Sequence, residues 1–319
     1  GRKSFIESER NVHYTRRCDI DKTMYKLFPR FVMLALLAFT CCHGEVLAGE
    51  GKFVIVGMGT APDLITLRGQ KTVSESDVLL AEEGDIAGMW PEFAVEKEAW
   101  EWPRNFRKFY GADPEKIASG AQRAEAIRLQ QVRRDLIARI VAAVKAGKTV
   151  ACLQGGDPMM YGMTLFLEML PESVPTEIVP GVGAFQAASA ALKQSPPYGY
   201  DTSAVILTQD DWAGRLDDNE KLMASGSTMV FYTMNLDYPR LFEKLKRYYP
   251  PETPVAVVRD AGDLSREAVT RSTVARFLAE VDPNSLPAHR HMLFVGKFLE
   301  AGQARKDFTP RIAKTAAKE

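Results

Sequence analysis

Two glycine-bearing turns and a scarcity of imidazole define the chemistry open to this chain. Gly57-Met58-Gly59-Thr60-Ala61-Pro62 follows the apolar run Lys52 to Val56 and precedes Leu64-Ile65-Thr66-Leu67. A Gly-x-Gly turn between a strand and a helix is where backbone N–H groups take a dinucleotide pyrophosphate. Pro62 stands where the third glycine of that fingerprint belongs. A nicotinamide-dependent oxidoreductase, with Glu82 or Glu83 on the ribose, is therefore one reading of this loop, and a plain tight turn is another. Gly155-Gly156-Asp157-Pro158 ends a second apolar run, Thr149 to Leu153. Open α/β sheets bind ligands at the carboxyl ends of their strands, and glycine lets a ligand reach main-chain groups directly. The same four residues are all turn formers, so a simple β-turn competes with a binding loop. Val179-Pro180-Gly181-Val182-Gly183-Ala184 opens a further helix in the same style. The chain has four His and four Cys, with no His between His43 and His289. That gap argues against zinc sites and against Ser/His or Cys/His nucleophilic chemistry in the central region. Lys plus Arg equals Asp plus Glu at 41 each, so no overall positive field exists to hold a nucleic acid. A small-molecule partner is the expectation.

The elements that must hold these turns follow from the hydrophobic pattern. The 319 residues, 46% hydrophobic and 26% charged, suit a globular protein of two domains. Short β-branched runs alternate with longer amphipathic ones, the pattern of βα units around a mainly parallel sheet. Strands are expected at Lys52 to Val56, Asp77 to Ala81, Thr149 to Leu153 and Glu177 to Val179, and later at Ala204 to Leu207, Thr228 to Tyr232, Val255 to Val258 and Met292 to Val295. Helices are expected from Pro114 to Ala146, Tyr161 to Leu170, Ala184 to Leu192, Leu236 to Tyr248 and Thr273 to Glu280. Trp90 to Gly111 shows no clean period and reads as an inserted loop or short helices. Met159, Met160 and Tyr161 read as core residues. Pro171 to Pro175 is the expected hinge, which divides an N-terminal α/β domain (49–172) from a C-terminal one (173–300), with a charged tail at 301–319.

Residues 1–48 read as an extension followed by a targeting segment. Lys26 and Arg30 precede the apolar run Phe31 to Phe39, which is too short to cross a hydrocarbon layer of about 30 Å. Val46-Leu47-Ala48 offers a signal-peptidase site, and cleavage after Ala48 would export the chain to the periplasm. An uncleaved membrane anchor over residues 27–48 and lipidation at Cys41 or Cys42 are the alternatives. Membrane contact is expected only through this leader, and cleavage would leave Cys152 as the single cysteine.

The succession Val56-Gly57-Met58-Gly59, Pro62-Asp63-Leu64-Ile65-Thr66-Leu67, Gly155-Gly156-Asp157-Pro158, Pro180-Gly181-Val182, Tyr232-Thr233-Met234 and Thr253-Pro254-Val255-Ala256-Val257 resembles the tetrapyrrole (corrin and porphyrin) methylase family over Gly51 to Phe298. The resemblance implies a two-domain α/β fold with a mainly parallel N-terminal sheet, a mixed C-terminal sheet and a ligand cleft between them. It also implies a homodimer, S-adenosylmethionine (SAM) as methyl donor and a tetrapyrrole as the small-molecule acceptor. In that family the loop matching Gly155, Gly156, Asp157 and Pro158 cradles the methionine part of SAM, and residues matching Met234 and Ala256 enclose the adenosine. Gly57, Gly59, Pro180 and Gly181 complete the implied cofactor set. The first loop departs from the family pattern: it is shorter by one residue and lacks a Gly and an Asp. Gly183 replaces a common Ser or Thr.

Methyl transfer from a sulfonium leaves a neutral thioether, so the lack of His is no obstacle. The acceleration would come from alignment and from polar backbone atoms near the sulfur. Asp63 could orient the acceptor or assist proton loss, or simply favour a helix N-terminus. Arg68, Arg104 and Arg123 could hold acceptor carboxylates in bidentate fashion, or be solvated surface charges. Trp90, Trp100, Trp102, Arg104, Arg107, Tyr110 and Arg123 also resemble the arrangement in peptide backbone N-methyltransferases on the same fold, although Ile127 stands where a tyrosine would be expected. An exported, non-catalytic binding protein that keeps the fold is a further alternative.

Overall fold

The computed structural model describes residues 51–197, 204–212, 214–234 and 236–300. The leader expected over 1–48 and the tail at 301–319 lie outside the described residues.

Strands β1 (Phe53–Gly57), β2 (Val78–Glu82), β3 (Glu98–Trp102), β4 (Val150–Gln154) and β5 (Thr176–Val179) form a parallel sheet in the order β3-β2-β4-β1-β5. Every residue of β1 is buried, as a central parallel strand covered on both faces requires, which is why Phe53-Val54-Ile55-Val56 shows no alternation. Helices α1 (Leu67–Glu75) and α2 (Asp85–Met89) cover one face, where Val54, Val56, Val73, Ile86 and Trp90 pack together. Helices α3 (Gly120–Lys145) and α4 (Leu165–Met169) cover the other. There Trp102 and Phe166 meet edge-on at 5.3 Å, and Phe53 and Phe106 each lie 5.5 Å from Phe166.

The second sheet runs β6-β7-β10-β8-β9, from β6 (Val205–Thr208), β7 (Thr228–Tyr232), β8 (Pro254–Arg259), β9 (Ala268–Thr273) and β10 (His291–Val295). Only β6 and β7 are parallel; the other pairings are antiparallel. One face packs on α5 (Ala184–Leu192), which presents Ala188 and Leu192 to Val230, Ala256 and Phe294. Three short helices, α6 (Asn219–Met223), α7 (Tyr238–Tyr248) and α8 (Phe277–Glu280), cover the opposite face.

Five expectations are corrected. Trp90 to Gly111 is not all loop: it contains edge strand β3, and Trp90, Trp100 and Trp102 are buried core residues. The strand after Pro171–Pro175 pairs with β1 and completes the first sheet, so the chain passes to the second sheet only after Pro180. Pro114–Lys116 forms a separate 3-10 turn, and α3 starts at Gly120 behind the Ser119 cap. The fourth helix shrinks to Leu165–Met169 because Asp157 to Thr164 folds into turns. Strand β9, which carries Arg271 and alternates exposed and covered residues, had no recognised sequence signal, and the helix expected from Thr273 starts only at Phe277.

Candidate active site

Three loop ends meet at the carboxyl edge of the first sheet, and glycine is what lets them meet. Gly59 and Gly156 form an isolated antiparallel bridge, with Gly156 N donating to Gly59 O at 2.7 Å and Gly59 N to Gly156 O at 3.3 Å. Both adopt positive φ, +76° and +71°, a region that favours glycine. A Cβ on Gly57 would lie 2.4 Å from Gly181 N and 2.8 Å from Pro158 Cδ; one on Gly181 would lie 2.3 Å from Gly156 O. The first, second and third glycine loops thus pack main chain on main chain. Thr66 ties them further, since its Oγ1 caps α1 at Gly69 N (3.0 Å) and donates to Pro180 O (3.4 Å). Gly155 differs from its neighbours: it is exposed and no heavy atom lies within 4 Å of where its Cβ would be.

The second loop is shaped by its own side chains. Asp157 Oδ1 accepts from Met159 N at 2.9 Å in an Asx turn, and Gln154 Oε1 accepts from Met163 N at 2.8 Å to close the loop base. Between them Tyr161 takes a left-handed φ of +63°. Met159 and Tyr161 are 56% and 39% exposed, so the expectation that they are core residues fails. The Tyr161 ring meets the Tyr232 ring of β7 edge-on at 5.0 Å, which joins the second loop to the second sheet. Tyr232 packs against the same apolar cluster as Ala256, beneath α5. Burial, reinforced by Tyr161 and Asp157 nearby, pushes the Tyr232 hydroxyl up to about 12, so it is a neutral hydrogen-bond donor. Its oxygen is buried without a partner among the described residues, as is Thr60 Oγ1 in the first loop. An open glycine and two orphaned hydroxyls fit a polar nucleoside that brings its own acceptors.

The cofactor candidates divide into two groups. Gly57, Gly59, Gly156, Asp157, Pro158, Pro180 and Gly181 come together as described, with Gly155 on the open side. Ala256 is fully buried in mid-strand, and Met234 lines a cavity of about 450 Å³ with Thr233, Tyr238, Pro239, Leu286 and His291. Tyr232 was legible only as part of the Tyr232-Thr233-Met234 motif; its role depends on a cross-sheet ring contact that no local pattern encodes.

The acceptor candidates fare less evenly. Asp63 and Arg68 are exposed, in the Pro62–Leu64 turn and the first turn of α1. Arg123 is used structurally: its Nε and Nη2 donate to Ile117 O at 3.1 and 2.9 Å and close the turn before α3. Arg104 donates to Glu83 O at 3.2 Å, and Tyr110 to Glu168 Oε2 at 3.0 Å. The side chains behind the peptide N-methyltransferase comparison are thus engaged in holding the first domain together.

A sequence model of the family Tetrapyrrole (Corrin/Porphyrin) Methylases matches residues 52–277. The chain is 28% identical over 255 residues to the cobalt-precorrin-4 C(11)-methyltransferase of Methanocaldococcus jannaschii, covering 78% of this chain and 88% of that protein. It is 26% identical over 234 residues to the uroporphyrinogen-III C-methyltransferase of the same organism, covering 70% and 87%. It spans about half the length of the siroheme synthases it matches, 50% for that of Hydrogenovibrio crunogenus at 28% identity over 79% of this chain. Among solved structures, a cobalt precorrin-4 methyltransferase superposes with a TM-score of 0.61 at 23% identity, covering 78% of this chain and 96% of that one. The uroporphyrin-III C-methyltransferase of Thermus thermophilus complexed with S-adenosyl homocysteine superposes with a TM-score of 0.55 at 19% identity, covering 78% and 99%. Both likenesses are of fold. The family match removes the nicotinamide reading of the first loop.

Proposed function

The chain belongs to the tetrapyrrole methylase family as a SAM-dependent methyltransferase, and from that premise we propose that it methylates a carbon of a tetrapyrrole with the donor held at Gly155–Pro158. The observation that carries this reading is the three-loop junction. Gly57 and Gly181 leave no room for side chains where they meet, Gly156 is held at positive φ, and Gly155 beside them is open. Main-chain N–H and C=O groups at such an opening reach a ligand without an intervening Cβ.

When bound at Gly155–Pro158, SAM would supply an electrophilic methyl to an acceptor carbon and would be left as a neutral thioether, with one proton released from the acceptor. The chain's own work is positional. Thr66 fixes the first loop to Pro180, Asp157 fixes the turn that follows it, and the bridge between Gly59 and Gly156 sets the spacing of first and second loops. Fixed main-chain dipoles of this kind need no reorganisation as the sulfur loses its charge. Arg68, exposed on the first turn of α1, is suited to an acceptor carboxylate at the rim, and Asp63 to orienting it or taking a proton. The relatives named for cobalt-precorrin-4 and uroporphyrinogen-III support a macrocyclic acceptor of that class.

The test is label transfer. Purified protein incubated with methyl-tritiated SAM and either uroporphyrinogen III or a cobalt-precorrin should move label to the macrocycle and release S-adenosylhomocysteine (SAH). Binding of SAM with no transfer to either macrocycle would point to another acceptor.

A further inference from the structure

The pair of tyrosines at the junction is not explained by packing alone. Tyr161 lies in the left-handed region at φ +63°, an uncommon place for a bulky residue that persists only when surrounding contacts hold it. Arg107, from the segment between β3 and α3, supplies those contacts. Its Nη2 donates to Tyr161 O at 3.3 Å and to Gly162 O, and its Nε meets Met163 Sδ at 3.3 Å. Gly162 lies close on Pro158, where a Cβ would lie 2.2 Å from the carbonyl oxygen. Held this way, the Tyr161 ring abuts Tyr232 at 5.0 Å, and the Tyr232 hydroxyl is left buried without an acceptor among the described residues. A buried donor left unsatisfied is destabilising, and such groups persist where a ligand completes them.

We propose that the Tyr232 hydroxyl donates a hydrogen bond to an oxygen of the bound methyl donor, and that Arg107 is the positioning residue that keeps Tyr161, and through it Tyr232, in place for that bond. This rests on the reading that the donor binds at Gly155–Pro158. Thr60 Oγ1 is orphaned too, but it belongs to the departing first loop and has no comparable supporting clamp. Arg215 does not substitute for Arg107: its guanidinium is committed to Thr208 Oγ1 at 2.8 Å and to the Gln209 carbonyl at 3.2 Å.

The proposal separates apo stability from affinity, which a merely structural tyrosine would move together. Titration calorimetry with SAH and thermal unfolding are run on the full chain and on Tyr232→Phe, Tyr161→Ala, Arg107→Met and the Tyr232→Phe/Arg107→Met pair. Tyr232→Phe should weaken SAH by about tenfold while leaving the apo Tm unchanged or higher, since the orphaned hydroxyl is gone. Tyr161→Ala removes the ring that abuts Tyr232 and should weaken SAH several-fold; parent-like binding would overturn the role of that contact. Arg107→Met should weaken SAH several-fold, and the double variant should bind no more weakly than Tyr232→Phe, because both act on one bond. Parent-like SAH affinity in Tyr232→Phe overturns the proposal while the donor site stands; additive losses in the double variant overturn the role of Arg107. No SAH binding by the parent chain removes the underlying reading instead.

Discussion

Adding one methyl group at Gly181 or at Gly155 separates the two jobs that glycine does at the junction. A Cβ on Gly181 would stand 2.3 Å from Gly156 O and 2.7 Å from Gly57 C, whereas ordinary contact begins at 3.4 Å, a deficit of 1.1 Å (3.4 minus 2.3) against main chain on both sides. Neither neighbour can turn away, because Gly57 ends the buried strand β1 and Gly156 is bridged to Gly59. Forcing extra volume into a packed site costs about 1–3 kcal/mol, and here the upper half of that range applies because the obstacle is backbone. For a domain of this size each kcal/mol lowers Tm by roughly 2–4 °C, so Gly181→Ala should unfold about 4–12 °C lower. Gly155→Ala meets nothing within 4 Å and has no positive φ to oppose it. Its stability should stay within about 0.5 kcal/mol of the parent. Its methyl would occupy the space assigned to the donor, so SAH affinity should fall about tenfold or more, equivalent to about 1.4 kcal/mol. Differential scanning calorimetry and SAH titration on the same preparations give both quantities. Parent-like SAH affinity in Gly155→Ala would refute the cradle argument, and an unchanged Tm in Gly181→Ala would refute the packing argument.

Arg123→Ala should lower Tm by a few degrees, reflecting about 1–2 kcal/mol for its hydrogen bonds to Ile117 O, and leave SAH affinity and acceptor KM unchanged; a raised acceptor KM would return Arg123 to the active site. Arg215→Met should cost about 2 kcal/mol in denaturant unfolding, because its nearly buried side chain joins Thr208, Asp211 and Asp217, while Asp211 keeps Lys244 at 2.6 Å. His291 supplies a pH dependence. Its Nδ1 faces Pro287 O at 2.7 Å and its Nε2 faces Tyr238 Oη at 2.6 Å, so the neutral ring donates to the carbonyl and accepts from the tyrosine. Burial, with minor contributions from His289 and Arg259, holds its pKa below the usual 6.5. The folded state therefore binds fewer protons than the unfolded one: this contribution is fully present above pH 6.5 and is lost as the pH falls through the lowered folded value. A Tm series from about pH 7.5 to about pH 5 should fall more steeply for the parent than for His291→Gln; parallel curves would contradict it.

The glycine loops were legible because their constraint is local: a turn after an apolar strand needs glycine, and the strand shows as an apolar run. Gly57, Gly155 and Gly181 could therefore be picked out without any knowledge of partners. Residues whose roles come from long-range contacts were not legible. Arg107 lies 54 residues before the carbonyl it clamps at Tyr161, and Tyr232 lies far from the ring it meets. Arg123 looked available for a ligand because its acceptor, Ile117 O, is a main-chain atom that any residue could supply. Edge strands were hidden for a related reason. In β3 the sequence Glu98-Ala99-Trp100-Glu101-Trp102 buries only its tryptophans, and β9 is partly exposed, so neither shows the apolar run that identified the central strands.

A crystal structure of the full chain with SAH decides where the donor binds. The amino-acid moiety should lie against the main chain of Gly155 to Pro158, with an oxygen of the ligand in hydrogen-bond reach of Tyr232 Oη. SAH found in the cavity between Met234, Tyr238 and His291, with the Gly155 surface bare, would contradict it.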